Sequence, residues 1–128
     1  MLNTPAPRWM VVDDDHPWLA LMRVLLQRVH GVQVECFDSP RAALAALAAA
    51  PQAFELVITD LEMPEMNGTE LCRQIHALVP TLPVFLATGS GQLNATSAGR
   101  LGFGGLLSKP FDLAALREIQ PAANLAQN

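Results

Sequence analysis

Leu56-Val57-Ile58-Thr59-Asp60-Leu61-Glu62-Met63-Pro64-Glu65-Met66-Asn67-Gly68 begins as an unbroken apolar run. It ends that run on a hydroxyl and a carboxylate, then passes into a segment punctuated by Pro64 and Gly68. An apolar run without alternation reads as a strand covered on both faces, the habit of parallel sheets. Similar runs lie on either side: Trp9 to Val12, Val32 to Phe37, Val84 to Leu86, and Leu106-Leu107.

Helical spacing fills the gaps between these runs. Leu19, Met22, Leu26 and Val29 form one stripe, widened by Leu25. Leu44, Leu47 and Ala48 lie in an Ala-rich stretch of high helix propensity. Leu71, Ile75 and Leu78 form a third stripe, Leu113, Leu116 and Ile119 a last one, and a weakly patterned helix is expected over 92–101. Pro17 is placed at a first helical position, as is Pro40 after a Ser39 cap, and Asp112 is placed as the cap of the last helix. The alternation amounts to βα units joined by right-handed crossovers, an α/β doubly wound parallel sheet with helices on both faces.

Composition agrees with one domain. The chain has 128 residues, 51% of them hydrophobic and 16% charged, with a formal net charge of −4. Seven Arg and a single Lys are scattered without a basic run, so no nucleic-acid footprint is expected. No apolar stretch reaches the ~18 residues of a membrane span. Cys36 and Cys72 form neither a CxxC nor a Cys/His cluster, against a zinc site or a disulfide scaffold. The expected location is cytoplasmic.

In doubly wound sheets the functional crevice lies beyond the carboxyl ends of the strands. There the sequence places Asp13, Asp14 and Asp15, then Thr59 and Asp60, then Ala87, Thr88 and Gly89, then Ser108, Lys109 and Pro110. One Asp at a strand end is ordinarily a helix cap or a turn former, and a Lys-Pro is ordinarily a loop. Carboxylates, a hydroxyl and the chain's sole ammonium at four strand ends together are another matter. Clustered carboxylates repel by of order 1–4 kcal/mol per pair at surface-like dielectric, so they call for a cation. Hard oxygen ligands of this kind suit Mg²⁺, which also favours phosphate oxygens.

With those residues in place, the chain resembles the receiver domain of bacterial response regulators in two-component signalling, from about Trp9 to about Ile119. The segments that carry the resemblance are Val11 to Asp15, Leu56 to Gly68 with its Asp-x-x-Met-Pro-x-Met-x-Gly, Leu86-Ala87-Thr88, and Leu107 to Phe111. It implies a flavodoxin-like (βα)5 fold with strand order 2-1-3-4-5 and five helices, a single domain over 1–128 with its core at about 8–120 and a tail at 121–128. It implies that Asp60 is the phosphoacceptor, attacking the phosphohistidine of a sensor histidine kinase or a histidine phosphotransfer protein. Asp13 and Asp14 would hold Mg²⁺ together with Asp60 and the backbone carbonyl of Glu62, leaving Asp15 as a helix-start residue. Thr88 and Lys109 would meet phosphoryl oxygens, and a cis peptide would precede Pro110.

The chain departs from the family where an aromatic residue usually stands on the last strand. Leu106 occupies that position, and Phe103 is out of register to replace it. The switch pair is then Thr88 with Leu106, and the usual readout face is altered. Glu62 and Ser90 each lie two residues after a site residue, where the family tunes water's access to the acyl phosphate; Glu62→Ala is expected to change the phosphoryl lifetime. His16, His30 and His76 are isolated, His16 being read as a helix-start neighbour, and Trp9 and Trp18 as packing residues. The glycine-rich stretch from Gly89 to Gly105 fits no P-loop and reads as a switch segment.

Two other readings stand beside this one. Asp13 and Asp15 satisfy the Asp-x-Asp spacing of haloacid-dehalogenase-type phosphatases, although that leaves the Asp60 run unexplained. A receiver fold can also serve as an interaction module that is never phosphorylated. The favoured expectation is a receiver without turnover on an external substrate, acting on a downstream protein or on an output domain C-terminal to it, either as a stand-alone regulator or as an N-terminal receiver.

Overall fold

A computed structural model of the chain describes residues 8–89, 93–109 and 111–121. Five parallel strands, β1 (Arg8–Val12), β2 (Gln33–Phe37), β3 (Leu56–Asp60), β4 (Val84–Thr88) and β5 (Gly105–Ser108), form one sheet in the order β2-β1-β3-β4-β5. Helices α1 (His16–His30), α2 (Pro40–Ala49), α3 (Gly68–Leu78), α4 (Ala95–Arg100) and α5 (Leu113–Arg117) alternate with them. The doubly wound α/β architecture and its strand order are those expected.

The apolar runs are apolar because both sheet faces are covered. Along each strand successive side chains point to opposite faces. Val11 and Ile58 join Met22 and Leu26 of α1 and Leu116 of α5 in one core; Val12, Val57 and Leu86 join Leu47 of α2 and Leu71 and Ile75 of α3 in the other. Asp15, Ser39, Asn67, Asn94 and Asp112 cap the five helices, each accepting a hydrogen bond from a backbone N–H of the first turn.

Several helix details differ from the periodic reading. Pro17 is the second residue of α1, because Asp15 caps it and His16 begins it. In α2 the buried residues are Pro40, Ala43 and Leu47, and Ala48, turned about 100° from Leu47, is exposed. In α3 Cys72 is buried and Leu78 is 45% exposed, while Val79 at the C-cap packs into the core instead. Leu113 is exposed because Phe111, Ala115, Leu116 and Ile119 set the inward face. The fourth helix spans only Ala95–Arg100, and Gln92, where it was expected to begin, lies outside the described residues.

The strands also run further than their apolar stretches. Asp60 pairs in register with Ala87, and Thr88 with Ser108. The polar residues expected just after β3, β4 and β5 are thus partly their last rungs, which fixes them to the sheet.

Candidate functional site

Asp13 continues the β1–β2 ladder, its N–H donating to the Phe37 carbonyl at 3.0 Å. The residue is only 1% exposed, so its carboxylate must find partners inside the protein. Oδ1 accepts from the Asp15 N–H at 3.0 Å and Oδ2 from Lys109 Nζ at 2.8 Å. Lys109 reaches the site because its N–H donates to the Thr88 carbonyl at 3.0 Å, extending the β4–β5 pairing by one rung. Its Nζ lies 3.6 Å from Asp60 Oδ1, so one ammonium serves both carboxylates.

Asp13, Asp14 and Asp60 each bring a carboxylate oxygen to a common point, the three atoms lying within 4.8 Å of one another. Asp13 is buried, Asp60 half-buried and Asp14 exposed, which leaves the cluster open to solvent on one side. Burial, and next the charge of Asp13, push the Asp60 carboxyl above its ordinary range, against the pull of Lys109 and the Leu61 N–H. Three hard oxygen donors, one side open to water and a charge excess left by a single ammonium are the donor chemistry of a hydrated divalent cation. Asp15 does not join them. Its Oδ1 accepts from the Trp18 N–H at 3.1 Å as the cap of α1. The Asp-x-Asp pairing of Asp13 with Asp15 is therefore not formed.

The loop from β3 to α3 is drawn tightly under Asp60. The Gly68 N–H donates to the Leu61 carbonyl at 2.7 Å and the Met66 N–H to the Pro64 carbonyl at 2.8 Å. Glu65 takes a φ of 76°, the left-handed region, and its carboxylate accepts from the Ser39 hydroxyl at 3.2 Å. Glu62 is exposed in this loop, two residues beyond Asp60.

Thr88, 6% exposed, ends β4 on the face that also carries Leu86 and Leu106. Leu106 is half-buried against the core that holds Phe103 and Ala98, so the position of the missing aromatic is filled by an aliphatic side chain packed inward. Ser90 and Pro110 lie outside the described residues.

The remaining sequence candidates are structural. His16 Nε2 is 2.9 Å from Asp38 Oδ2, His30 Nε2 is 2.8 Å from the Leu116 carbonyl, and His76 Nε2 is 2.9 Å from the Leu82 carbonyl. Cys72 is buried and Cys36 half-buried, both as free thiols. Trp9 is a core residue. Trp18, read as packing, has a second place: Lys109 Nζ lies 4.4 Å from its ring centroid, and Phe111 meets its ring edge-on at 5.2 Å. The available signal was its position three residues after Asp15, in the helical turn that borders the crevice.

Comparison with known proteins bears on what this site is. The sequence pattern of the response regulator receiver domain matches residues 9–120. The C4-dicarboxylate transport transcriptional regulatory protein DctD of Rhizobium meliloti is 39% identical over 118 residues, covering 91% of this chain and 25% of that protein. The transcriptional regulatory protein FixJ of Bradyrhizobium diazoefficiens is 33% identical over 122 residues, covering 88% of this chain and 58% of its own length. The chain thus spans between a quarter and three-fifths of these curated relatives. A response regulator receiver domain from Clostridium thermocellum superposes with a TM-score of 0.79 at 29% identity, over 87% of this chain and 88% of that one. A CheY-like receiver domain from Methanospirillum hungatei gives 0.78 at 29%, over 89% and 90%.

Proposed function

The chain belongs to the response regulator receiver domain family of two-component signalling, and from that premise we propose that Asp60 is its phosphoacceptor, served by Asp13, Asp14, Thr88 and Lys109. The observation that carries this reading is the convergence of three carboxylates on one point, with a single ammonium shared between Asp13 and Asp60.

The phosphodonor is a phosphohistidine of a sensor kinase or a phosphotransfer protein. An Asp60 carboxylate oxygen attacks phosphorus, the P–N bond breaks, the histidine nitrogen keeps the bonding pair, and an acyl phosphate forms. Phosphoryl transfer asks the protein mainly for position and charge neutralisation. The last rung of β3 fixes the attacking carboxylate, Lys109 can turn from Asp60 to a phosphoryl oxygen, and the Thr88 hydroxyl can donate to another. Mg²⁺, held by Asp13, Asp14, Asp60 and the Glu62 carbonyl, would supply the Lewis acid that neutralises charge on the transferred group. Movement of Thr88 toward that group would be read through Leu106 by a downstream protein or an output domain.

This is stoichiometric self-modification rather than turnover of an external substrate. Among the described residues no helix is long and apolar enough to cross a membrane, and the proposed place of action is the cytoplasm.

The test is amide NMR with Mg²⁺ alone and with Mg²⁺ plus beryllofluoride, an acyl phosphate mimic, on wild type and Asp60→Asn. Shifts around Asp13, Asp60, Thr88 and Lys109 that vanish in the variant are expected. Their spread to Leu106 and α5 would establish a working switch without the aromatic residue. Confinement to the site would indicate a phosphate relay or sink, and the absence of any response would overturn the reading in favour of an unphosphorylated interaction module.

A further inference from the structure

We propose that Trp18 is a positioning residue for Lys109, its indole face holding the ammonium in the pocket when a divalent cation claims the carboxylates; this rests on the reading of Asp60 and Lys109 given above. Among the described residues, Lys109 Nζ meets Asp13 Oδ2 at 2.8 Å, Asp60 Oδ1 at 3.6 Å and the Trp18 ring centroid at 4.4 Å. The first two belong to the cluster that would bind the cation. Once their charge is shared, a lysine on a flexible four-carbon stem has less to hold it at the site. The pull of an indole face is quadrupolar, and Trp is the strongest such partner. It is not consumed by a cation sitting among carboxylates.

The ring is buttressed in turn. Its backbone N–H is bonded to the Asp15 cap, and its edge-on contact with Phe111 ties it to the residue two positions beyond Lys109 in the same loop. The segment that delivers the lysine thus also buttresses the ring that receives it. Trp18 is half-buried: one side of it packs against the core beneath α1, and its ring face also meets Lys109 Nζ.

The test combines a contact readout with a chemical one, using acetyl phosphate and Mg²⁺. In the labelling step an Asp60 oxygen attacks phosphorus and acetate leaves with the electron pair of the P–O bond. Ring-current shielding of the Lys109 ε-methylene protons is expected in wild type, persisting in Mg²⁺, retained in Trp18→Phe and lost in Trp18→Leu. Labelling of Trp18→Leu is expected to slow by roughly threefold to tenfold, that of Trp18→Phe by less than twofold. In a Lys109→Ala background Trp18→Leu should cause no further loss, as a coupling confined to this pair requires. Loss of the shielding on adding Mg²⁺, equal labelling of wild type and Trp18→Leu, or an undiminished Trp18→Leu effect without Lys109 would each overturn the role of Trp18 alone. Intact shielding with no labelling of wild type would overturn the phosphoacceptor reading, and this role with it.

Discussion

Gly68 is pressed against the backbone of Asp60: a Cβ built on Gly68 would stand 2.2 Å from the Asp60 carbonyl oxygen and 3.1 Å from its carbonyl carbon. The neighbour is main chain at the last rung of a central strand, which cannot rotate away. Gly68→Ala is therefore expected to lower unfolding free energy by about 3 kcal/mol, the upper part of the range for overpacking. Because the strain falls on the Asp60 peptide, labelling by acetyl phosphate should also drop, by more than the unfolded fraction explains. Urea denaturation and labelling measured on the same preparation check both.

Asp60 holds its proton more tightly in the fold than in the unfolded chain, because burial and then Asp13 raise its pKa above 3.8. The stability tied to this group is full below that ordinary value and is lost as pH rises through the raised one. At neutral pH without divalent cation, Asp60→Asn should accordingly be more stable than wild type, by about 1 kcal/mol, the low end for a like-charge contact because Lys109 offsets part of it. The advantage should narrow as pH falls through the raised value toward 3.8. Mg²⁺ should stabilise wild type more than the variant. Thermal unfolding of both proteins from pH 7 downward, with Mg²⁺ and with a chelator, reads all three effects.

Much of this was legible in the sequence because two periodicities and one convergence carry it. The runs at Trp9–Val12 and Leu56–Ile58 are buried on both faces and could hardly be otherwise. The convergence of Asp13, Asp14, Asp60 and Lys109, with Thr88 ending the neighbouring strand, follows from parallel topology, which delivers every strand end to one rim. What the pattern could not show depends on side-chain direction and on ladder pairing. Asp13 and Asp15 are alike as letters, and only the cap hydrogen bond to Trp18 separates them. Thr59 and Asp60 are polar, so the apolar run stops before them, although main-chain pairing takes no account of side chains. Trp18 reads as a packing residue and does pack against the core, but its contact with Lys109 spans 91 residues of chain.

Lys109 neutralises a carboxylate that is nearly sealed from water, the side chain of Asp13 being 2% exposed and its own 21%. Removing one partner of such a pair strands the other charge. Lys109→Ala without divalent cation should lose about 2 kcal/mol, less than for a fully buried pair because the lysine is partly solvated. Mg²⁺ should then bind Lys109→Ala more tightly than wild type, since no ammonium competes for Asp13 and Asp60. Isothermal titration with Mg²⁺ on the two proteins tests this, and equal affinities would show that the ion pair does not oppose the cation.

Gly105 offers the counterpart to Gly68. A Cβ there would fall 2.4 Å from Cε2 of Phe85, an overlap as severe on paper as the one at Asp60. Here, however, the obstacle is the end of a side chain, and it has somewhere to go. Phe85 lines, with Leu107, Phe111, Asp112, Ala115 and Glu118, a solvent-open groove of about 450 Å³ between β5 and α5. The ring can turn into that space at the cost of an imperfect rotamer, of order 0.5–1.5 kcal/mol. Gly105→Ala is thus expected to cost about 1 kcal/mol, well below Gly68→Ala, and to leave labelling of Asp60 unchanged. The ring should show its displacement in the aromatic NMR shifts of Phe85 and in a narrower groove between β5 and α5. A loss as large as that of Gly68→Ala would mean that Phe85 is locked in place and the groove is not available to it.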